Sequence, residues 1–463
     1  MMINKNIFRI LLIIFLLNNI QVSIARDSPF TRKGTGPKYW IAYEYCFDTN
    51  QPIPESRWKD NIDWMVTNLK SYGFDMICND GWIEAAQTID ENGYILKYNS
   101  DWQNGFKYWS DYLKDKGMKM GVYYNPMWLT RTAYNQNVKV KGTNFHTKDI
   151  VGTKPFNGEL HWVDVEKPGA KEWIQGYVNY FKSIGTTYLR IDFLENYETK
   201  YGKENYEQAL KWIMEAAGDD LFLSLVMPNC YNHGEVELKY GDMIRIDDDC
   251  FQGDWDFVSN RRRGAQKANW PQFGNAFDGF IGFSDIGGRG QMILDGDFMR
   301  MNKLASDDER KFLYSIMIMG GSALAIADQF DTMGKNIWVY QNKEINELNE
   351  LGFVAKPISN KMSDIKNSSR WIGQLPDGDW VVGLFNRENG SQTRSIDFVK
   401  ELGIVGGKVG NVRDLWEQKD LGSMSGNYSV ELRPHECKVI RIKNNSLKFE
   451  AEAASLIKVK SGK

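Results

Sequence analysis

The chain has 463 residues, 42% hydrophobic and 13% aromatic, which excludes a disordered or fibrous protein and suits one barrel-sized domain with a smaller companion. Lys and Arg total 57 against 60 for Asp and Glu, and a net charge of -3 gives no electrostatic reason to bind nucleic acid or an anionic membrane; a neutral ligand fits better. The 16 Trp and 22 Tyr exceed ordinary core needs, and sugar rings stack on such side chains, although most will serve as packing.

In chain order, Lys5 and Arg9 precede an apolar run from Ile10 to Leu17, and Ser23-Ile24-Ala25 follows with the small-x-Ala pattern of a signal peptidase site. Export with cleavage after Ala25 is the expectation, and an uncleaved N-terminal anchor is the competing reading. The run is too short for a stable membrane span, and the residue directly after the cut is Arg26 rather than cysteine, which disfavours a lipid anchor. Export permits disulfides, yet Cys46, Cys78, Cys230, Cys250 and Cys437 leave at least one thiol unpaired. Their spacing matches no zinc pattern, and His146, His161, His233 and His435 are scattered, so neither a metal nor an organic cofactor is expected.

From about Tyr39, short apolar strands alternate with amphipathic helices. The first helix places Trp58, Ile62, Met65, Val66 and Leu69 on one stripe after Pro54 and Glu55. Strands are expected at Tyr39 to Tyr43, Met76 to Asn79, Lys119 to Tyr123, Tyr188 to Asp192, Leu223 to Met227, Met243 to Asp247, near Phe280 to Phe283, and at Ser322 to Ile326. Ser306-Asp-Asp-Glu309 reads as a capping box. Eight such units close into a (β/α)8 barrel with its site at the C-terminal strand ends, where Asp80, Asp192 and Asp249 fall. The connection from Asn125 to Trp162 would be an elaborated loop over the mouth. After about Gly352, period-two runs such as Trp380 to Phe385 and Cys437 to Ile442 predict an antiparallel β-sandwich. The expected division is a leader at 1–25, a catalytic barrel at 26–352, a sandwich at 353–445 and a polar tail at 446–463.

Two segments carry the chemistry. Tyr188-Leu-Arg-Ile-Asp192 puts Leu189 and Ile191 on one strand face and Arg190 and Asp192 on the other, and Met243-Ile-Arg-Ile-Asp-Asp-Asp249 repeats the arrangement. Two aspartates from separate strand ends are what paired-carboxylate cleavage of a glycosidic bond requires. The bland readings are an N-cap for Asp192 and a calcium loop for Asp247 to Asp249, the second lacking the Gly and Glu spacing of an EF-hand.

From about Lys38 to Ile442 the chain resembles glycoside hydrolase family 27, the α-galactosidase and α-N-acetylgalactosaminidase family. The resemblance rests on an ordered set: Trp40-Ile-Ala-Tyr-Glu44, Ile77-Cys-Asn-Asp-Gly-Trp82, Gly121-Val-Tyr123, Leu189-Arg-Ile-Asp192, Arg245-Ile-Asp-Asp-Asp249, and Val412-Arg-Asp-Leu-Trp416 through Leu421-Gly422. It implies a retaining mechanism, with Asp192 as nucleophile and Asp249 as acid/base. Arg190 beside Asp192 would favour its anion, and the like charges of Asp247 and Asp248 would favour a proton in the Asp249 group. By the same matching Asp80 grips sugar hydroxyls, Tyr43 and Tyr123 form aromatic walls or fill the barrel, and Arg190 and Arg245 donate to hydroxyls near the reacting carbon. Asp297, in Asp295-Gly-Asp297, matches an acidic site in a later loop.

Three departures bear on the sugar. Asn79 stands where the family usually has the first of two aspartates, Tyr43 where tryptophan is common, and Arg190 where lysine is common. Leu225-Val-Met-Pro-Asn229 also lacks the family's usual cysteine and acid. The leading expectation is an exported retaining α-galactosidase acting on an oligosaccharide or polysaccharide. The alternatives are an isomalto-dextranase-like α-glucan hydrolase, a β-L-arabinopyranosidase, or a glycan-binding protein without catalysis.

Overall fold

The structure, a computed structural model, describes residues 25–79, 88–152, 156, 160–250, 252–265 and 273–444. The leader reading therefore lies outside the described residues except for Ala25, and so does Asp80.

Eleven strands make up the first part of the chain: β1 (Lys38–Ile41), β2 (Met76–Cys78), β3 (Lys119–Tyr123), β4 (Trp128–Thr130), β5 (Leu160–Trp162), β6 (Thr186–Ile191), β7 (Phe222–Leu225), β8 (Met243–Arg245), β9 (Ile293–Asp295), β10 (Phe298–Met299) and β11 (Leu324–Ile326). All but β4 and β5 join one parallel sheet in the order β10-β11-β1-β2-β3-β6-β7-β8-β9. Its two ends, β9 and β10, are one strand interrupted at Gly296–Asp297, so the chain itself closes eight staves into a barrel.

Strand alternation sorts the apolar residues. Tyr39, Ile41, Met76, Tyr188, Phe222, Met243, Ile293 and Ala325 fill the barrel, while Trp40, Ile77, Leu189, Ile191, Leu223, Ile244 and Leu294 face the helices. The helix expected after Pro54 runs Glu55–Asn68 and buries Trp58, Ile62 and Met65 as its stripe requires. At Ser306 the hydroxyl accepts the Glu309 N–H, but Glu309 accepts from Ala305 and not from Ser306, so only half of the box forms as expected.

The seventh strand is a correction. Phe280 lies in a helix, Ala276–Gly282, with Phe283 at its end; Asn275 caps that helix by accepting the Asp278 N–H. The cap signal of Asn275 outweighs the apolar run after it, which suits a buried helix as well as a strand. The stave lies instead at Ile293 to Met299, where Gly296 splits the strand pattern. A Cβ at Gly296 would meet the Phe280 ring at 2.7 Å and the Met317 sulfur at 2.8 Å, which leaves no room for any other residue.

The connection after β3 carries an antiparallel ribbon, β4 with β5, beside the barrel mouth. The second part holds β12 (Lys356–Pro357), β13 (Arg370–Gln374), β14 (Trp380–Phe385), β15 (Gln392–Asp397), β16 (Lys408–Asp414), β17 (Lys419–Ser425), β18 (Asn427–Leu432) and β19 (Cys437–Ile442). They form a six-stranded antiparallel sheet, β12-β13-β14-β19-β16-β17, and a separate β15-β18 pair, with Val382, Leu384, Ile396, Val412, Leu432 and Ile440 between them. The other face of the larger sheet packs on the barrel: Trp371, Phe385, Trp416 and Val439 share a core with Phe277 and Phe312. All five cysteines are buried and unbridged. Among the described residues, no helix is long and apolar enough to cross a membrane.

Candidate active site

Asp192 follows β6 directly, and the chain turns sharply behind it. Phe193 takes a left-handed conformation (φ 61°) and is itself the N-cap of the helix Leu194–Tyr201, with no side-chain cap. The Phe193 N–H donates to Asp192 Oδ1 at 2.6 Å, and the Tyr123 hydroxyl donates to Oδ2 at 2.7 Å. The carboxylate therefore bends back over the barrel mouth rather than capping the helix. Asn125, fully buried, donates to the Asp192 carbonyl at 2.7 Å and accepts the Met127 N–H at 2.8 Å. Trp128 on β4 lies against both Tyr123 and Phe193, with ring centroids 6.1 and 5.8 Å away. Burial and the nearby Asp249 charge raise the Asp192 carboxyl above the ordinary aspartate range, against the Tyr123 hydroxyl, the Arg190 charge and the Phe193 N–H, which favour the anion. Asp192 and Asp249 thus share one electrostatic site.

The Arg190 charge favours the Asp192 anion. Its guanidinium is 3% exposed and spans Asp295 (2.9 Å) and Asp297 (3.3 Å). Arg245 is similar. Its residue exposure is 1%, and it meets Asp297 at 2.6 Å, Asp249 at 2.5 Å and Asp247 at 3.4 Å. Burial works against the Arg245 charge, but Asp297, Asp249 and Asp247 outweigh it and hold the guanidinium firmly protonated. Both arginines, expected to donate to sugar hydroxyls, hold carboxylates at the base of the site. Strand parity turns both into the barrel, where carboxylates claim their donors, and they form the charged floor of the cleft.

The three consecutive aspartates separate. Asp247 is buried, and burial raises its carboxyl well above the usual range despite Arg245. Asp248 turns the other way, to Arg261 and Arg262. Asp249, on Arg245, keeps 34% of its side-chain surface open to the cleft. The proximity of Asp247 is as the sequence suggests, whereas two arginines neutralise Asp248.

The remaining expected residues divide as follows. Tyr123 reaches Asp192 directly. Tyr43, half-buried in the helix Tyr43–Thr49 and not at the strand end expected, packs at a tilt on Phe298 at 4.3 Å and stacks on Phe47 at 5.9 Å, beside β10. Asn79 is spent on backbone: Oδ1 accepts the Tyr123 N–H at 3.1 Å, and Nδ2 faces the Tyr123 carbonyl at 3.5 Å. Its amide locks the end of β2 to the residue whose hydroxyl holds Asp192. Asp297 is 1% exposed and stands between Arg190 and Arg245, and the pattern Asp295-Gly-Asp297 marks a break in a strand. Sequence reasoning missed Asn125, Trp128 and Asp295, although an Asn two residues past a strand end is a known source of local backbone bonding.

A family model described as the alpha galactosidase C-terminal beta sandwich domain matches residues 366–442. An isomalto-dextranase from Arthrobacter globiformis is 46% identical over 449 residues, covering 90% of this chain and 69% of that protein. The solved structure of the isomalto-dextranase of A. globiformis T6 complexed with panose superposes with a TM-score of 0.87 at 45% identity, over 91% of this chain and 74% of the other. A family 27 β-L-arabinopyranosidase from Geobacillus stearothermophilus shares the fold, with a TM-score of 0.74 at 20% identity, over 91% of this chain and 99% of the other.

Proposed function

The chain belongs to glycoside hydrolase family 27, and from that premise we propose that it is an exported retaining α-glycosidase acting on α-glucan, in the manner of an isomalto-dextranase, rather than on galactosides. It is a glycoside hydrolase by kinship; the choice of sugar is carried by one observation, the 46% identity to an isomalto-dextranase across 90% of the chain. Asn79 agrees with it. Where the family's aspartate would read galactose hydroxyls, this amide is tied to the Tyr123 backbone. The leader-like segment before Ala25 suits a substrate too large to enter a cell.

In the proposed reaction the Asp192 carboxylate attacks the anomeric carbon while Asp249 gives its proton to the departing glycosidic oxygen, leaving a glycosyl ester on Asp192. Asp249, now anionic, takes a proton from water, whose oxygen displaces Asp192 from the anomeric carbon with retention. Tyr123 and the Phe193 N–H fix the nucleophile and favour its charge. In this reading the pair, electrostatically coupled, holds one proton before attack.

A panel of aryl α-glucosides, α-galactosides and β-L-arabinopyranosides, together with dextran, tests the sugar. Glucoside and dextran cleavage is expected; cleavage of the galactoside alone would overturn the α-glucan reading. Asp192→Asn is expected to lower turnover by about 10⁴-fold or more, the scale of removing a covalent nucleophile. Persistence of activity in that variant would remove Asp192 from the role.

A further inference from the structure

We propose that Asp297 is the positioning residue of the acid/base segment: the break in the seventh barrel strand aims its carboxylate inward, where it holds both the arginine that grips Asp249 and the backbone just past Asp249. The proposal rests on the reading of Asp249 as acid/base.

The break is built. Gly296 has no room for a side chain, and Asp297 adopts a left-handed backbone (φ 68°), unusual for a residue other than glycine and concentrated where function demands it. Its N–H donates to Asp295 Oδ1 at 2.9 Å, which fixes the turn. The two carboxylate oxygens then divide their work. Oδ1 meets Arg245 Nη1 at 2.6 Å and Arg190 Nη2 at 3.3 Å, and Oδ2 accepts the Cys250 N–H at 2.8 Å. Arg245 lies four residues before Asp249, and Cys250 lies immediately after it. One buried carboxylate therefore clamps the segment on both sides of Asp249, while Arg245 Nη2 holds Asp249 itself at 2.5 Å.

A structural ion pair would need only the arginine. The bond to the Cys250 N–H anchors a stretch outside the regular strand, and no sheet partner replaces it. Among the described residues, the charges facing Asp249 are Arg245 on its own segment, Asp192 from the nucleophile strand, and Asp247 and Asp297 below. Burial raises the Asp297 carboxyl to about 7, so on the alkaline side it is anionic, and removing that charge also leaves Arg245 more fully to Asp249. Both changes favour loss of the catalytic proton, so the alkaline limb of activity moves toward lower pH.

The test is Asp297→Asn in the full chain, because asparagine tolerates the left-handed backbone and keeps the shape. Activity is followed on aryl glycosides of graded leaving-group acidity, using the sugar that the wild type cleaves. Expected are a kcat/KM loss of about 10²-fold or more where the leaving group needs protonation and a much smaller loss for dinitrophenyl, the signature of impaired general-acid action. The alkaline limb should shift acidward by about one pH unit, the scale of a neighbouring charge. An equal loss across all leaving groups with an unchanged pH profile would reduce Asp297 to a structural residue and overturn the proposal. Asp297→Gly, which removes the backbone strain together with the carboxylate, gives the same readout should the asparagine variant misfold. Asp249→Ala run in parallel separates the two claims: a flat leaving-group dependence there defeats the acid/base assignment itself, whereas a graded dependence there with a flat one for Asp297→Asn defeats the positioning role alone.

Discussion

At the end of β6 the nucleophile candidate is held by neutral donors, a tyrosine hydroxyl and a backbone N–H, with Asn125 fixing its carbonyl. Four residues beyond β8, Asp249 is held by a guanidinium that it shares with two buried carboxylates, Asp247 and Asp297. Neutral donors fix where a carboxylate points and stabilise its anion, while burial and nearby charge still set its proton affinity. An ionic network fixes charge as well, and its members depend on one another, because removing any partner leaves a buried charge uncompensated. In the proposed mechanism the two carboxyls are thus held to different ends: Asp192 would attack as an anion, and Asp249 would exchange a proton twice per cycle.

The contrast breaks most severely at Asp249. Asp249→Ala is expected to lower kcat/KM by about 10²- to 10⁴-fold on substrates with poor leaving groups, with far less loss on dinitrophenyl glycosides and partial recovery in azide. On the neutral side, Tyr123→Phe removes one donor to a charged acceptor, worth about 1.5–3 kcal/mol, and kcat/KM should fall by roughly 10- to 100-fold. Attack needs the Asp192 anion, so activity fades as pH falls through the Asp192 pKa, which burial and Asp249 already raise. Losing the hydroxyl that favours the anion raises it further, and the acid limb of the profile moves to higher pH; an unmoved limb would mean that Tyr123 does not touch the working nucleophile. The smallest effect is expected at Asn79. Asn79→Asp keeps the acceptor for the Tyr123 N–H but sets a second carboxylate oxygen against a carbonyl, costing about 1–3 kcal/mol in denaturant-measured stability. It should create no galactosidase activity; appearance of that activity would show that this position reads the sugar directly.

Much of this plan was legible in the chain. The alternation at Tyr188 to Asp192 places Leu189 and Ile191 outward and Arg190 inward, as the fold has it, because a strand buried on both faces obeys the same parity. Seven of the eight staves were placed within a few residues, their apolar runs being bounded by turns or helices. The eighth failed where Gly296 and Asp297 interrupt the pattern and a capped helix mimics a strand. Positions just past a strand end were legible too, as at Asp192 and Asp249, because one strand end suffices to define them. What spacing cannot convey is where a long side chain ends. Arg190 sits beside Asp192 in sequence, yet its guanidinium reaches across the barrel to Asp295 and Asp297. Asn79 likewise gives no sign in the chain that a neighbouring strand will claim its amide.

The burial of every cysteine has a practical meaning. A thiol reacts as its thiolate, and here no sulfur is open to solvent, so alkylating reagents must wait for the protein to open. Cys437 in β19 and Cys250 beside Asp249 sit in different regions. Their relative labelling rates therefore form an internal clock, one hand timing the unravelling of the sandwich and the other timing each release of the catalytic segment.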